Sequence, residues 1–572
     1  MPPFPDGVQL RLFLDDQTLP QWLLPYIIDR GAQYGRKYAV RSDLTPQNNE
    51  PLKRLVIEFS SPNIASEFHG KHLRSTLFGA QLANLYEAAG WDVVRLNYLG
   101  DWGRPIGLLG AGFQRYGSQE ALLADPVTHL HDVYQKTFAE FLPEQQRTRQ
   151  VREEQGDDAA RETESQGLHG EGKAFLKRME EGDRAALEFA EHFRENSIKD
   201  YSASYARLGV TFNEYSGESK MVDSEAIDEV VKSLEVTGLV EDGASGLTIN
   251  LKDHGARLGA PIIRNRDGSS TYLLRDLVAV LDRHRKHSFD KMLYVVAADS
   301  NKMHFLQLFK IVELLGHKDV AEKLHHVSFN DNSRIPKAGD QEQTLAEFLD
   351  RCETATKSLL DAGNPSLPAL GPVAVPDLCK AAMYGHAASV KPTASLNFDP
   401  KNLLSPTHGS GLDDISWYQS LVSVEHPEID MANLSVDETP APVAEPASED
   451  MDLTKQKRER QRILETQATL LRLLARYPEI VESALHASDP SLLMVYVSSL
   501  VASLATWFPR REGMRTSDQR EKDLLATTRM VMGNALKLLG ISVRSVHGAA
   551  HIKLKRVDML RTASRDSGIC LE

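Results

Sequence analysis

The stretch from Glu58 to Gly103 constrains the fold of this 572-residue chain more than any other. Apolar residues alternate from Leu55 to Phe59, which is typical of a short strand, and residues 60–63 supply turn chemistry. Helical spacing from Leu73 to Ala83 and an apolar run from Val93 to Tyr98 predict a helix and a second, parallel strand. Such a unit binds nucleotides in open α/β sheets, and the free N–H groups at the helix start favour an anionic ligand.

Three motifs in this stretch are specific enough to indicate a family. They are Glu58-Phe59-Ser60-Ser61-Pro62-Asn63, His69-Gly70-Lys71-His72-Leu73-Arg74-Ser75-Thr76 and Leu96-Asn97-Tyr98-Leu99-Gly100-Asp101-Trp102-Gly103. At these residues the chain resembles class I arginyl-tRNA synthetases. The similarity continues through Tyr215–Ser219, Tyr272–Asp276 and Gly533–Gly540, and it covers nearly the whole chain after residue 54.

The resemblance implies an α/β fold, with a class I synthetase-type Rossmann catalytic core, a large insertion and an all-α, anticodon-binding-like bundle. We expect an N-terminal stub over residues 1–53, a reduced form of the family's N-terminal domain. The catalytic domain is then predicted over 54–395, with its insertion at about 104–255, and the helical domain over 396–572. Within the helical domain we expect an acidic linker at 425–452 and a C-terminal extension at 543–572.

Composition limits the partners and the cellular compartment that are expected for the protein. The net charge of −14 does not indicate a chain that binds nucleic acid over its whole surface, although a local basic face is compatible with it. Cys352, Cys379 and Cys570 lack metal-type spacing and do not form a disulfide framework, and the N-terminus lacks signal-peptide features, so a cytoplasmic protein is expected. The uncharged run 491–508 predicts a buried bundle helix and no membrane partner, and the polar run 143–173 predicts a solvated loop.

The resemblance also implies an arginine-binding pocket. A guanidinium has five N–H donors and a permanent charge, so carboxylates and an aromatic wall suit it. The matching residues are Glu58, Asn63, Tyr272 and Asp276. In a purely structural interpretation, Glu58 only ends a strand and Asp276 only caps a helix. A fifth family position, a glutamine, falls near Asp299 or Ser300, so that contact is changed.

The residues expected to handle ATP depart from the family pattern. His69 and His72 match its H-x-G-H motif, but Lys71 stands at the glycine position, where a side chain takes up room for the adenine. Arg334 and Lys337 are the remaining cations of a loop that the family uses to stabilise departing pyrophosphate. A proline and two aspartates in the same loop oppose that task. Loss of one preorganised contact of this kind costs about 2.7–4 kcal/mol.

The arginine-binding residues are retained, whereas the residues that would activate arginine with ATP are altered. This combination predicts a reaction of arginine that is already activated as an ester of tRNA. The main prediction is a tRNA-dependent cyclodipeptide synthase, because fungal enzymes of that kind resemble arginyl-tRNA synthetases. It would join arginyl-tRNA to a second aminoacyl-tRNA or amino acid, giving cyclo(Arg-Xaa), with no cofactor required. In this hypothesis His69 or His72 is the base, Lys71 contacts the terminal tRNA phosphate, and Ser61 or Ser60 is a nucleophile. The structural interpretation gives the serines turn and capping roles.

Two alternatives stay open. One is an arginine–tRNA ligase with divergent motifs, which uses ATP with Mg²⁺ and predicts arginine-dependent ATP–pyrophosphate exchange. The other is a non-catalytic pseudo-synthetase, which binds arginine or tRNA and makes no product. The sequence predicts no metal site of its own for any of the three.

Overall fold

The computed structural model describes residues 18–36, 52–65, 68–124, 126–222, 224–243, 246–266, 268–336, 344–362, 374–404, 411–422, 453–507 and 519–541. The predicted acidic linker at 425–452, the predicted extension at 543–572 and Lys337 lie outside these ranges.

The described residues form ten strands and nineteen α-helices. The strands are β1 (Arg54–Glu58), β2 (Asp92–Leu99), β3 (Glu214–Gly217), β4 (Glu241–Gly243), β5 (Gly246–Thr248), β6 (Ile262–Asn265), β7 (Lys291–Ala297), β8 (Leu324–Phe329), β9 (Ser333–Arg334) and β10 (Leu396–Asn397). The helices are α1 (Thr18–Arg30), α2 (Gly70–Ala88), α3 (Arg104–Tyr116), α4 (Gln119–Ala124), α5 (Pro126–Gln155), α6 (Asp157–Thr163), α7 (Gly167–Glu180), α8 (Arg184–Leu208), α9 (Ser224–Val236), α10 (Tyr272–His287), α11 (Ala298–Leu314), α12 (Lys318–Ala321), α13 (Leu345–Asp361), α14 (Val375–Ala388), α15 (Pro400–Leu403), α16 (Gly411–Val422), α17 (Leu453–Ala487), α18 (Ser491–Trp507) and α19 (Gln519–Leu538).

A five-stranded parallel sheet in the order β3-β2-β1-β7-β8 lies at the centre of the fold. Side chains alternate between the two faces of a strand, so Leu55 and Ile57 pack on one face while Val56 packs on the other. Helix α2 covers the first face, and α9, α10 and α11 cover the second. Cover on both faces is what an all-parallel sheet requires. The predicted unit of a strand, a helix and a second, parallel strand is therefore present as β1, α2 and β2.

The insertion between β2 and β3 is helical. The prediction of a solvated loop over residues 143–173 is wrong, because α5, α6 and α7 occupy nearly all of that range. Ion pairs stabilise these polar helices: the Glu164 carboxylate lies 2.8 Å from the Arg152 guanidinium and 2.7 Å from the Lys173 ammonium. Phe175 of α7 is buried. A polar composition without clear periodicity therefore folds here through charge pairs and contacts distant in sequence.

The C-terminal part is a helical bundle in which α17, α18 and α19 pack together with α16. The prediction that residues 491–508 form a buried bundle helix is confirmed by α18, and no described helix is long and apolar enough to cross a membrane. Helix α1 docks on this bundle. The Tyr34 hydroxyl donates to the Leu474 carbonyl at 2.9 Å, and the Asn534 amide donates to the Gly31 carbonyl at 2.9 Å. The domain bounds stay a prediction.

Candidate functional site

Three carboxylates from separate elements converge at the carboxyl edge of the sheet, and we name them the acidic pocket. Glu58 ends β1, Glu218 opens the 3-10 helix that follows β3, and Asp276 lies near the start of α10. Burial and, to a smaller degree, the Asp276 charge raise the pKa of Glu58 to about 6 and that of Glu218 to about 7. Like charges act in this way only at short range, so the three groups share one site.

Two arginines of the chain itself pair with the acidic pocket. Arg283 Nη1 lies 2.6 Å from Glu58 Oε2, and Arg275 Nη2 lies 3.0 Å from Glu218 Oε2, with all four side chains largely buried. These guanidinium charges lower the pKa values of their carboxylate partners, against the larger effect of burial. The site is thus suited to guanidinium groups.

Asp276 faces a histidine instead of an arginine. Its Oδ2 atom lies 2.6 Å from His304 Nε2. The acidic pocket therefore contains more carboxylates than arginines, which favours one additional cationic group.

Aromatic rings line the same site. The Arg283 guanidinium lies 4.6 Å from the centre of the Tyr98 ring, and the Arg275 guanidinium lies 4.7 Å from that of Tyr272. The Tyr98 hydroxyl is buried and has no hydrogen-bond partner among the described residues. Burial and the nearby carboxylates raise the pKa of Tyr98 well above its ordinary value, so it is a protonated donor. A buried hydroxyl without a partner is rare in folded proteins, so Tyr98 is a donor that a polar group of a ligand could complete.

The structure brings together some of the predicted arginine-binding residues. Glu58 and Asp276 share the acidic pocket, and Tyr272 is the first residue of α10, with 57% of its surface exposed. The Asn63 side chain accepts from the Ala65 amide at 3.0 Å, within its own turn. Whether these four residues bind arginine stays a prediction.

The turn after β1 is strained and firmly held. Ser60 and Ser61 have φ angles of 71° and 44°, in the left-handed region that non-glycine residues rarely adopt. The Ser60 amide donates to Ser75 Oγ at 2.9 Å, and the Ser61 amide donates to Asn97 Oδ1 at 3.1 Å. The Ser60 hydroxyl lies 2.6 Å from the Tyr205 hydroxyl, in a buried network. Ser60 therefore has a structural role, whereas the Ser61 hydroxyl has no hydrogen-bond partner among the described residues.

The two histidines lie at the N-terminus of α2. The His69 amide donates to His72 Nδ1 at 3.2 Å, which leaves the proton of a neutral His72 on Nε2. Burial, with the charges of Lys71 and His69, lowers the pKa of His72 to about 3, and burial and Lys71 also lower that of His69. A ring with so low a pKa is a weak base at pH 7, whereas its Nε2 proton can be donated to a phosphate oxygen. The catalytic roles given above to His69, His72, Lys71 and Ser61 stay predictions.

The altered cationic loop packs directly on α2. A Cβ atom at Gly70 would lie 2.5 Å from the Ser333 carbonyl oxygen and 2.7 Å from Arg334 Cα, so only glycine admits this approach. Strand β9 pairs in parallel with β10, which holds the loop at its other side. The Arg334 side chain is exposed, and the Arg334 backbone lies against Gly70, the chain neighbour of the exposed Lys71. Among the residues described, no group of three His, Cys, Asp or Glu residues has metal-site geometry.

Sequence reasoning missed Glu218 of the acidic pocket and the three side chains that pair with its carboxylates, Arg275, Arg283 and His304. Glu218 and Arg275 lie within motifs that carry the resemblance, so their position there was an available signal. Arg283 meets Glu58 across 225 residues of sequence, and no local pattern indicates that pair.

Comparison with known proteins gives consistent matches along the chain. Residues 39–347 match the family described as tRNA synthetases class I (R), catalytic domain, and residues 443–545 match the DALR anticodon binding domain. The cytoplasmic arginine–tRNA ligase of Saccharomyces cerevisiae is 30% identical over 550 residues, which cover 94% of this chain and 82% of that protein. The mitochondrial arginine–tRNA ligase of the same yeast is 30% identical over 541 residues, covering 94% and 77%.

A solved structure agrees with these matches. Arginyl-tRNA synthetase from Plasmodium falciparum superposes with a TM-score of 0.63 and 18% identity, over 87% of this chain and 78% of that one. The expected fold class, a synthetase-type Rossmann core followed by a helical anticodon-binding domain, is confirmed.

The expected function is corrected by the same comparison. The prediction of a cyclodipeptide synthase is wrong, because relatives that match 94% of the chain are named arginine–tRNA ligases. A cofactor-free reaction and a second aminoacyl-tRNA partner lose their basis with it. The structure shows why lysine at the glycine position of the H-x-G-H motif does not exclude ATP binding. Lys71 is exposed on the first turn of α2, so its side chain can lie in solvent instead of in the path of the adenine.

Proposed function

Because the chain belongs to the class I arginyl-tRNA synthetase family, we propose that it is an arginine–tRNA ligase that uses ATP. The observation that carries the proposal is the acidic pocket, which lies on the same sheet edge as the N-terminus of α2. One feature suits a guanidinium and the other suits a phosphate chain. A ligase of arginine needs both within the length of an arginyl adenylate.

The first half-reaction forms arginyl adenylate. The arginine carboxylate attacks the α-phosphorus of ATP, the bond to the β-phosphate oxygen breaks, and pyrophosphate leaves. In this proposal the carboxylates of Glu58 and Asp276 orient the guanidinium. The neutral His72 ring donates its Nε2 proton to a phosphate oxygen. Mg²⁺ enters with ATP, which supplies most of its ligands as phosphate oxygens.

The second half-reaction transfers arginine to tRNA. A ribose hydroxyl at the 3′ end of tRNA attacks the adenylate carbonyl, and AMP leaves. Arginine tRNA is the proposed partner, since the helical domain matches an anticodon-binding domain. The relatives do not favour one cellular compartment for this chain, because a cytoplasmic and a mitochondrial ligase are each 30% identical to it.

The proposal is tested by arginine-dependent exchange of labelled pyrophosphate into ATP, with tRNA present and absent, followed by charging of tRNA with labelled arginine. Citrulline is the matched control substrate, because it has nearly the shape of arginine and no charge. We expect exchange and charging with arginine and neither with citrulline. Charging absent at every tRNA and enzyme concentration tried would contradict the proposal.

A second candidate function rests on Lys71 and on the small number of cations in the loop that contains Arg334. These features favour a protein that binds arginine and tRNA without forming an adenylate. Isothermal titration with arginine separates the two candidates. Binding of arginine without any exchange would support the second candidate, whereas binding with exchange supports the ligase.

A further inference from the structure

Arg74 occupies an unusual position for an arginine. It lies on α2, one turn after His69 and Gly70, and only 3% of its surface is exposed. Within the described part of the chain, its hydrogen-bond partners are backbone carbonyls and one serine hydroxyl and include no carboxylate, and its guanidinium lies 5.5 Å from the centre of the Phe329 ring. A buried cation is costly unless dipoles satisfy it, so the acceptors around Arg74 define its role.

Those acceptors come from two loops that are distant in sequence. Nη1 donates to the first loop, residues 330–333, and both terminal nitrogens donate to the second, residues 391–394. The contacts are Nη1 to the Asn330 carbonyl at 3.4 Å, to Ser333 Oγ at 3.3 Å and to the Ala394 carbonyl at 2.7 Å, and Nη2 to the carbonyls of Lys391 and Pro392, each at 3.1 Å. One planar side chain thus joins two loops to α2.

The two loops also bond to each other. The Asn330 amide donates to the Pro392 carbonyl at 2.9 Å, and the Leu396 amide donates to the Asn332 carbonyl at 3.1 Å. The Phe398 amide donates to the Arg334 carbonyl at 2.9 Å. These bonds form one layer, and Arg74 is the side chain that fastens the layer to α2. On its other side the layer rests on Gly70, at the start of the same helix.

We propose that Arg74 is a positioning residue for adenylate formation, which holds segment 330–334 on the N-terminus of α2 and so places Arg334 beside Lys71 and His69. The proposal rests on the proposed ligase function. Arg74 itself is buried beneath the loop and does not reach substrate. Its contribution is to fix the backbone from which the exposed Arg334 side chain extends toward departing pyrophosphate.

Arginine is required for this role, because its two terminal nitrogens reach acceptors on both loops at once. Lysine offers three donors at a single nitrogen, so it can replace only part of the five contacts that Nη1 and Nη2 make. Methionine fills similar space and donates nothing. The series Arg74, Arg74→Lys and Arg74→Met therefore lowers the number of loop contacts in steps while keeping the site filled.

The first measurement tests directly whether Arg74 holds the two loops on α2, and it needs no activity assay. Hydrogen–deuterium exchange of peptides that contain the Asn330, Leu396 and Phe398 amides is compared in the three proteins. We expect exchange at least tenfold faster in Arg74→Met, with Arg74→Lys between. The control is Arg207→Met, which removes a guanidinium that pairs Asp350 and Glu353 and leaves these amides unchanged. Unchanged exchange at all three amides in Arg74→Met would overturn the proposal.

The second measurement reads the catalytic consequence. In ATP–pyrophosphate exchange we expect kcat to fall about 100-fold in Arg74→Met and about tenfold in Arg74→Lys, as for a misplaced catalytic group, while the KM for arginine stays within twofold. Equal losses in kcat and in arginine affinity, or an unaltered kcat beside faster amide exchange, would overturn the positioning role. If Arg74→Met does not fold, Arg74→Lys and Ser333→Ala serve in its place. A wild-type protein without ATP–pyrophosphate exchange would overturn the ligase assignment instead. Hydrogen–deuterium exchange alone would then test whether Arg74 holds the two loops on α2.

Discussion

The acidic pocket and the N-terminus of α2 lie on one edge of the sheet, yet opposite kinds of electrostatics stabilise them. In the acidic pocket the charges are buried and paired, as with Glu58 and Arg283. At α2 the cations Lys71 and Arg334 are exposed, and the half-buried ring of His72 is neutral. Substitutions in the pocket therefore unbalance buried charge, whereas substitutions around α2 act through the geometry of backbone and loop.

The largest effect is expected for Asp276→Asn, which removes one carboxylate from the acidic pocket and keeps the size of the side chain. The substrate guanidinium then loses a half-buried charge partner, worth about 3–4 kcal/mol, or about a 100- to 1000-fold loss in kcat/KM for arginine. Steady-state exchange assays at varied arginine measure this. Asp282→Asn on the same helix is the matched control. An unaltered kcat/KM for arginine would remove Asp276 from the binding site.

Gly70→Ala tests the second region, the N-terminus of α2. Alanine is the better helix former, so a loss cannot come from the helix itself. The added methyl would meet the Ser333 carbonyl at 2.5 Å and displace the loop. We expect kcat for exchange to fall about 10- to 100-fold, since about 1 Å of misplacement has that effect, with little change in arginine affinity. A fall in arginine affinity alone would show that the two regions are not independent.

The sequence was sufficient for the fold wherever local pattern decides structure. The alternation before Phe59 and the helical spacing after His72 predicted β1 and α2, and the uncharged run at 491–508 predicted α18. It was insufficient where distant charges decide structure. The helices within residues 143–173 depend on ion pairs such as Glu164 with Lys173, and polar composition alone resembles that of a loop.

The site was predictable to a similar degree. Motif residues such as Glu58 and Asp276 do lie together, because both follow from chain positions at the sheet edge. Their cationic partners did not follow from any pattern. Arg283 lies on α10 beyond the motif that contains Asp276, His304 lies on α11, and packing brings both to the carboxylates.

The pH dependence of arginine binding is expected to be an intermediate effect. Because the pKa values of Glu58 and Glu218 are raised to about 6 and about 7, both groups protonate as the pH falls from 7.5 to 5.5. Each protonation removes negative charge from the acidic pocket. We expect the Kd for arginine, measured by titration calorimetry, to be constant above pH 8 and to rise about tenfold by pH 6, as for loss of one favourable charge.

Glu218→Gln sharpens this test. It removes the group with the higher pKa, so the rise in Kd should begin near pH 6 instead of pH 7. Stability should respond with the opposite sign. A raised pKa in the folded state means that the stabilisation from these protons is present at low pH and is lost as pH rises through 6 and 7. The unfolding free energy of the wild type minus that of Glu218→Gln should therefore fall with rising pH, in urea titrations. A pH-independent Kd would contradict the raised pKa values.

The smallest effect is expected for Tyr98→Phe, which removes a single oxygen from the acidic pocket. That hydroxyl has no partner among the described residues, so its loss leaves no protein group unsatisfied and should not lower the melting temperature. If substrate completes its hydrogen bond, arginine binding should weaken by about 1 kcal/mol, or about fivefold. The ring stays in place beneath Arg283, so the cation–π contact is preserved. A stable variant with unaltered arginine affinity would show that substrate does not reach this hydroxyl, and would confine the guanidinium to the carboxylates alone.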